Sequence, residues 1–230
     1  MINFKSNFVV HVLVLCSFHV FAQNPRELLN QVQVKLNKAN NYKADINIKV
    51  DLPYIIMMPI NTKLYFKQKD KFKIDTKSIA ILPKQGFLQL SMLLNDTINY
   101  TAFFQNRESV NNIKTSLINL IPNSDTSDVV LAKLWVDELS QVIIKSQVTT
   151  KSSGTIKTEY TYGTQLIYGL PDAIKFTVDI KKFKIPKALA ADINTTKSKK
   201  VEKKSGEIQI TLKNYEVNKG IPDSVFDKIK

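Results

Sequence analysis

Of the chain's 230 residues, both histidines (His11 and His19) and the only cysteine (Cys16) lie near the N-terminus. If that stretch is removed, the rest has neither imidazole nor thiol, which excludes Ser-His and Cys-His nucleophiles, His or Cys zinc sites and disulfides. The formal charge is +13, yet Arg26 and Arg107 are the only arginines. Lysine offers a point charge without the guanidinium fork, so the pattern argues against nucleic-acid readout and suits attraction to anionic lipid headgroups.

Residues 1–22 have the three-part layout of a secretory signal: Lys5 without a nearby acid, the apolar run FVVHVLVLCSFHV, and the small-x-small exit Val20-Phe21-Ala22. Cleavage is expected between Ala22 and Gln23. The run is shorter than the roughly 20 apolar residues of a membrane span. A lipid anchor at Cys16 is the rival reading, against which Leu15 is bulky where that processing wants a small residue. Residues 23–230 are then one monomeric domain.

Asn24-Pro25-Arg26-Glu27 opens a helix, with Asn as the cap and Pro in the first turn, where its missing N–H costs nothing. Leu28, Leu29, Val32 and Leu36 recur on one face. Asn40-Asn41 ends it, and residues 42–52 (YKADINIKVDL) alternate without a fault between a dry and a wet face. The stretch 53–60 is an apolar connection whose Met57-Met58 reads as a core plug or as a pliable lipid contact. Residues 63–67 and 71–76 form a hairpin round Gln68-Lys69-Asp70, with Leu64, Phe66, Phe72 and Ile74 in phase.

The segment 80–95 holds Pro83 and Gly86 and turns helical in its second half, where Phe87, Leu88, Leu90, Met92, Leu93 and Leu94 make a core helix or a movable lid. Strands follow at 97–104, 110–121, 129–136, 142–150 and 156–162, with turns at Leu139-Ser140 and Ser152-Ser153-Gly154. Trp135 is a cross-strand anchor. Residues 172–183 alternate again, Ile174, Phe176, Val178 and Ile180 opposing Lys175, Thr177, Asp179 and Lys181. The lysine-rich run 194–205 has too little apolar surface to order itself and reads as a mobile loop. A last strand spans 206–217, and Asp223 caps a short turn through Phe226. Asp70, Asp137, Glu138 and Asp172 flank turns, the ordinary place for solvated acids. No aromatic-and-acid cluster accompanies them as glycoside chemistry would need.

The pattern predicts a mainly β protein with few helices: one large curved antiparallel sheet, covered by the N-terminal helix and the short helical lid. Its dry face carries Ile46, Ile48, Val50, Leu64, Phe66, Phe72, Ile74, Phe176 and Val178. Two helical pieces are little cover for ten strands, so a cavity is expected along these nine side chains. A filled core in a non-catalytic structural or interaction protein is the alternative. No catalytic residue, metal or cofactor is expected.

NTKLYFKQKDKFKID is similar to the hairpin of the outer-membrane lipoprotein carrier (LolA-like) family. SIAILPKQGF and LWVDELSQVIIKSQVTTKSSGTIKTEYTYG resemble its later elements, and LPDAIKFTVDI and KNYEVNKGIPDSVFD its closing strands. The resemblance implies an unclosed β-barrel, as in LolA and LolB, wrapped round helices. Its concavity shelters the acyl chains of lipoproteins, or free lipid, in transit through the periplasm between inner- and outer-membrane partners. The nine dry-face residues are then the cavity wall. The hairpin turn departs from the family's Pro-Asp form, and Lys73 stands where the family commonly carries an arginine that helps hold the lid shut.

Overall fold

The Asn24 carboxamide oxygen accepts from the Arg26 N–H at 3.0 Å and Pro25 opens helix α1 (Pro25–Asn37), as the cap signal requires. The protein is described by a computed structural model over residues 24–52, 57–68, 71–75, 94, 99–152, 154–179 and 205–227. The expected signal segment, the turn residues Lys69 and Asp70, the lid except Leu94, and residues 180–204 lie outside the described residues. Ser205, expected as the last residue of the loop, is already the first of a strand.

Among the described residues ten strands follow α1 in chain order: β1 (Asn41–Asp51), β2 (Ile60–Lys67), β3 (Lys71–Ile74), β4 (Tyr100–Val110), β5 (Ile113–Pro122), β6 (Val129–Asp137), β7 (Val142–Thr150), β8 (Gly154–Tyr162), β9 (Pro171–Asp179) and β10 (Ser205–Val217). They form one sheet in the order β3-β2-β1-β10-β9-β8-β7-β6-β5-β4, every neighbouring pair antiparallel. The chain builds a three-strand meander, crosses to the far edge, and returns strand by strand. β10 then inserts between β9 and β1. β3 and β4 do not pair, so the sheet stays open.

The expected boundary between 104 and 110 is corrected by the structure. β4 runs on to Val110 and the chain reverses at Asn111-Asn112, whose φ angles are 50° and 65°. Two successive left-handed residues are what a two-residue hairpin turn needs, and Asn tolerates that conformation better than most side chains. The polar run Gln105–Ser109 looks like a loop because β4 is an edge strand exposed along most of this length. It has no buried face to impose alternation.

Packing divides the inner face in two. Leu28, Leu29 and Val32 of α1 seat on Ile118, Leu120, Ala132, Leu134, Val136, Ile143 and Val148, covering the β5–β7 half. A second cluster occupies the β3-β2-β1-β10-β9 half and reaches Ile156 on β8. Along the boundary, Ser146 of β7 faces Thr158 of β8, and the Ser146 hydroxyl lies 3.4 Å from Tyr160 Oη. Tyr160 packs against both clusters, and Val148 and Ile156 meet across the same boundary.

The turn supplies a direct check. Asn112→Val is expected to lower stability by about 1–2 kcal/mol, because a β-branched side chain resists the left-handed conformation, whereas Asn112→Gly is expected to keep it. Denaturant midpoints of the two variants measure the difference.

Candidate functional site

The even-numbered residues of β1 face inward. Their partners across the ladder are Leu64 and Phe66 of β2, opposite Ala44 and Tyr42, and Ile208, Ile210 and Leu212 of β10, opposite Val50, Ile48 and Ile46. β10 hands the same face on to Phe176 and Ile174 of β9. All nine expected wall residues therefore fall in one apolar cluster. Ile46, Ile48, Leu64, Ile74, Phe176 and Val178 are buried, while Val50, Phe66 and Phe72 are half-buried.

Sequence reading left Tyr42, Leu52, Ile156, Ile174, Ile208, Ile210 and Leu212 out of this wall, though they belong to the same cluster. Their in-phase spacing was the available signal. Tyr42 stacks on Phe66 with ring centroids 4.9 Å apart and tilts against Tyr215 at 5.9 Å, giving the wall an aromatic end. Among the described residues outside the ten strands, Ala39, Leu52, Leu170 and the half-buried Met57 and Tyr168 join this cluster, and Met58 is exposed. Leu94, the described member of the expected lid, is helical and buried in the α1 cluster instead.

The wet face of the same strands is a different environment. Asp45, Asn47, Lys49, Asn61, Lys63, Thr211, Lys213 and Asn214, together with Ile46 and Thr62, line a groove of about 660 Å³ there. Lys63 Nζ donates to Asp45 at 2.7 Å and Asn214 Nδ2 to its other oxygen at 2.8 Å. These bonds hold the Asp45 carboxyl below its ordinary range, Lys63 first.

Lys73, on that outward face, donates to the Val225 carbonyl at 2.6 Å. Lys67 reaches Asp223 at 2.6 Å and the Ile221 carbonyl at 3.0 Å, and Lys71 reaches Asp223 at 3.0 Å. The described contact of Lys73 is thus a strap on the C-terminal turn. Trp135 is the expected cross-strand anchor, opposite Lys145, whose amine lies 4.5 Å from the ring centroid. Its indole N–H donates to Glu108.

Two of the turn-flanking acids, Asp137 and Glu138, have structural tasks. Asp137 accepts from the Leu139 and Ser140 N–H groups at 3.0 and 3.2 Å. Glu138 accepts from the Ser116 hydroxyl and from Arg107 at 3.1 Å. Among the described residues no three His, Cys, Asp or Glu side chains gather as a metal site would require.

An open ten-stranded antiparallel sheet with one apolar face and a helix on half of it defines a LolA-like fold. A proposed outer-membrane lipoprotein-sorting protein domain from Vibrio parahaemolyticus superposes with a TM-score of 0.60 at 8% identity, over 88% of this chain and 96% of that one. A DUF1329 family protein from Desulfovibrio piger gives 0.56 at 11% identity, over 89% and 98%. A LolA superfamily protein from Nitrosomonas europaea gives 0.53 at 12% identity, over 90% and 99%. No family model matches the sequence, and no curated protein does. The likeness lies in the fold, and it spans nearly the whole of each partner.

The tyrosines tie this architecture to pH. Burial pushes the Tyr160 phenol up to about 12, against hydrogen bonds from Ser146 and Thr158 that pull it down. Burial likewise raises Tyr42, Tyr162 and Tyr215. A raised pKa means that the folded state holds the proton more tightly than the unfolded chain, where a phenol titrates near ~10. The stabilisation is complete below about pH 10 and is lost as pH rises from there through about 12. Phenolate absorbance is expected to show these four tyrosines ionising together with loss of the sheet signal in circular dichroism, after the more exposed tyrosines have titrated.

Proposed function

We propose that the protein is a non-enzymatic periplasmic carrier, which shelters the acyl chains of lipoproteins or free lipid against the β3-β2-β1-β10-β9 face and delivers them toward the outer membrane. The observation that carries this reading is the division of the open sheet's inner face. Among the described residues α1 seats on one half only, and the other half carries a continuous apolar wall from Ile74 to Val178. The likeness in fold to a proposed lipoprotein-sorting domain and to a LolA superfamily protein supports it. Residues 1–22 act as the cleaved export signal, with anchoring through Cys16 as the other route to the envelope. The lid at 87–94 and membrane handover partners complete the proposal.

Energetics suit a carrier. Burying a methylene contributes about 0.8 kcal/mol, so ten give roughly 8 kcal/mol, near micromolar affinity before ordering costs. Cargo held that strongly can still be released.

A second reading has its own observation. Six of the nine wall residues are buried, as a filled core of an envelope interaction protein would be. The carrier reading requires that the cover over these residues move when cargo enters.

Phe66→Asn and Val50→Asn separate the two, because both side chains are half-buried. The carrier reading expects saturable binding of a fluorescent fatty-acyl probe by the parent protein. Each variant should lose most of that binding, at a stability cost below the ~2–5 kcal/mol typical of a damaged core. No saturable binding in the parent, with a large fall in melting temperature in both variants, would return the wall to ordinary packing. Mass spectrometry of lipid or acylated protein co-purified from cells identifies the cargo.

A further inference from the structure

At the end of the sheet where α1 stops, three aliphatic side chains stand out in solvent. Leu139, in the β6–β7 turn, is 96% exposed; Ile167, in the short helical turn Leu166–Tyr168, is 63% exposed; Val34 on α1 is 55% exposed. Turn positions ordinarily take polar residues or glycine, so a fully exposed leucine at a hairpin tip has no folding role to explain it.

The three belong to one rim. Lys35, next to Val34, donates to the Ser140 carbonyl at 2.5 Å, next to Leu139. Gln141 Nε2 donates to Gln31 of α1 at 3.2 Å. A methyl group on Gly169, two residues after Ile167, would lie 3.3 Å from Leu36 and 3.7 Å from Lys35. The rim is also rigidly held. Asp137 fixes the Leu139 and Ser140 N–H groups, Tyr162 Oη donates to the Ile143 carbonyl, and Tyr215 Oη donates to the Pro171 carbonyl. Leu139 is 96% exposed on a turn whose Leu139 and Ser140 N–H groups and Ser140 carbonyl are hydrogen-bonded.

Charge identifies what meets it. The stretch YTYGTQLIYGLP, from Tyr160 to Pro171, has no charged residue in a chain where 23% are charged. Of the acids near Leu139 and the Gly163 turn, Glu138 is paired with Arg107, Asp137 accepts from two turn N–H groups and faces Lys35, and Asp172 sits against Gly163. The basic groups at the rim are Lys35, held by the Ser140 carbonyl, and the exposed Lys38, in a chain of net charge +13. Protein-binding hot spots favour Trp, Tyr and Arg in packed pockets. Isolated aliphatic tips above lysines are instead what the headgroup region of a bilayer accepts, the tips entering the acyl boundary and the lysines meeting anionic lipid.

We propose that Leu139 and Ile167, with Val34 beside them and Lys35 and Lys38 as the basic flank, form a docking tip for an anionic lipid bilayer. This surface lies outside the apolar wall, and its test does not depend on cargo binding. Flotation of the chain from Gln23 onward with phosphatidylcholine vesicles, with and without phosphatidylglycerol, reads it directly. The parent is expected to float with the anionic vesicles and only weakly with the neutral ones. The double variant Leu139→Ser with Ile167→Ser is expected to lose about tenfold or more in binding, comparable to the burial of one aliphatic side chain, with its melting temperature unchanged. Lys38→Glu should weaken binding to anionic vesicles alone, and Phe66→Asn should leave it intact even where acyl uptake is lost.

Equal flotation of the double variant and the parent would overturn the proposal. So would a parent dimer that the double variant dissolves in sedimentation, which would make the tip a contact between copies. Should the double variant unfold, Leu139→Trp in vesicles of brominated lipid decides. Quenching beyond that of Trp135 alone supports insertion, and its absence refutes it.

Discussion

The structure depends on one strand arriving between two others. β10 pairs with β1 on one side and β9 on the other, in register from Asp51↔Glu207 to Tyr42↔Val217 with a bulge near Asn214. Without it, β1–β3 and β4–β9 would be separate sheets, each with an unsatisfied edge. The fit is tight at the start of the strand, where a Cβ on Gly206 would come within 2.3 Å of Leu52. At the other end Asn218, with φ of 59°, accepts from the Asn40 N–H at 2.8 Å and donates to the Lys38 carbonyl at 2.8 Å. The end of α1, the start of β1 and the end of β10 are thus locked into one joint. The wall exists because β10 carries its alternation across that joint.

How much of this was legible in the sequence follows from where alternation was forced. β1, β9 and β10 have one buried face, so period two shows in their residues and their inward side chains were readable. β4 is an edge strand and carries no such imprint. Its extent was legible only from the Asn-Asn pair of the hairpin turn. Strand order was not legible, because β10 finds β1 across some 160 residues and no local rule selects that partner. The same gap explains the cover. The apolar stripe of α1 was plain, but that it would sit on β5–β7 rather than over Ile46 and Ile48 depended on long-range topology. Leu139 was read only as part of a turn, since exposure at a tip is a property of the folded chain.

The two faces of the sheet differ in kind. Asp137 and Glu138 engage turn N–H groups and an ion pair, and the outward groove of β1, β2 and β10 is mainly polar and cross-linked by Asp45, Lys63 and Asn214. What the inner face sets apart is apolar area with little built-in direction, and the proposed carrier function would use it for a ligand recognised by length and oiliness rather than by hydrogen-bond pattern.

The row of hydroxyls at Ser146, Thr158 and Tyr160 has a mechanical meaning. It lies along the line where one plate, the cluster packed by α1, meets the other, the cluster of the β3-β2-β1-β10-β9 half. Free energy spent in loosening one plate therefore does not include most of the apolar burial of the other, so the two are separable units of local opening. On the proposed carrier function, the plate under α1 would keep its side-chain packing while its neighbour opens. A molecule arranged this way would rearrange around a guest without passing through its unfolded state.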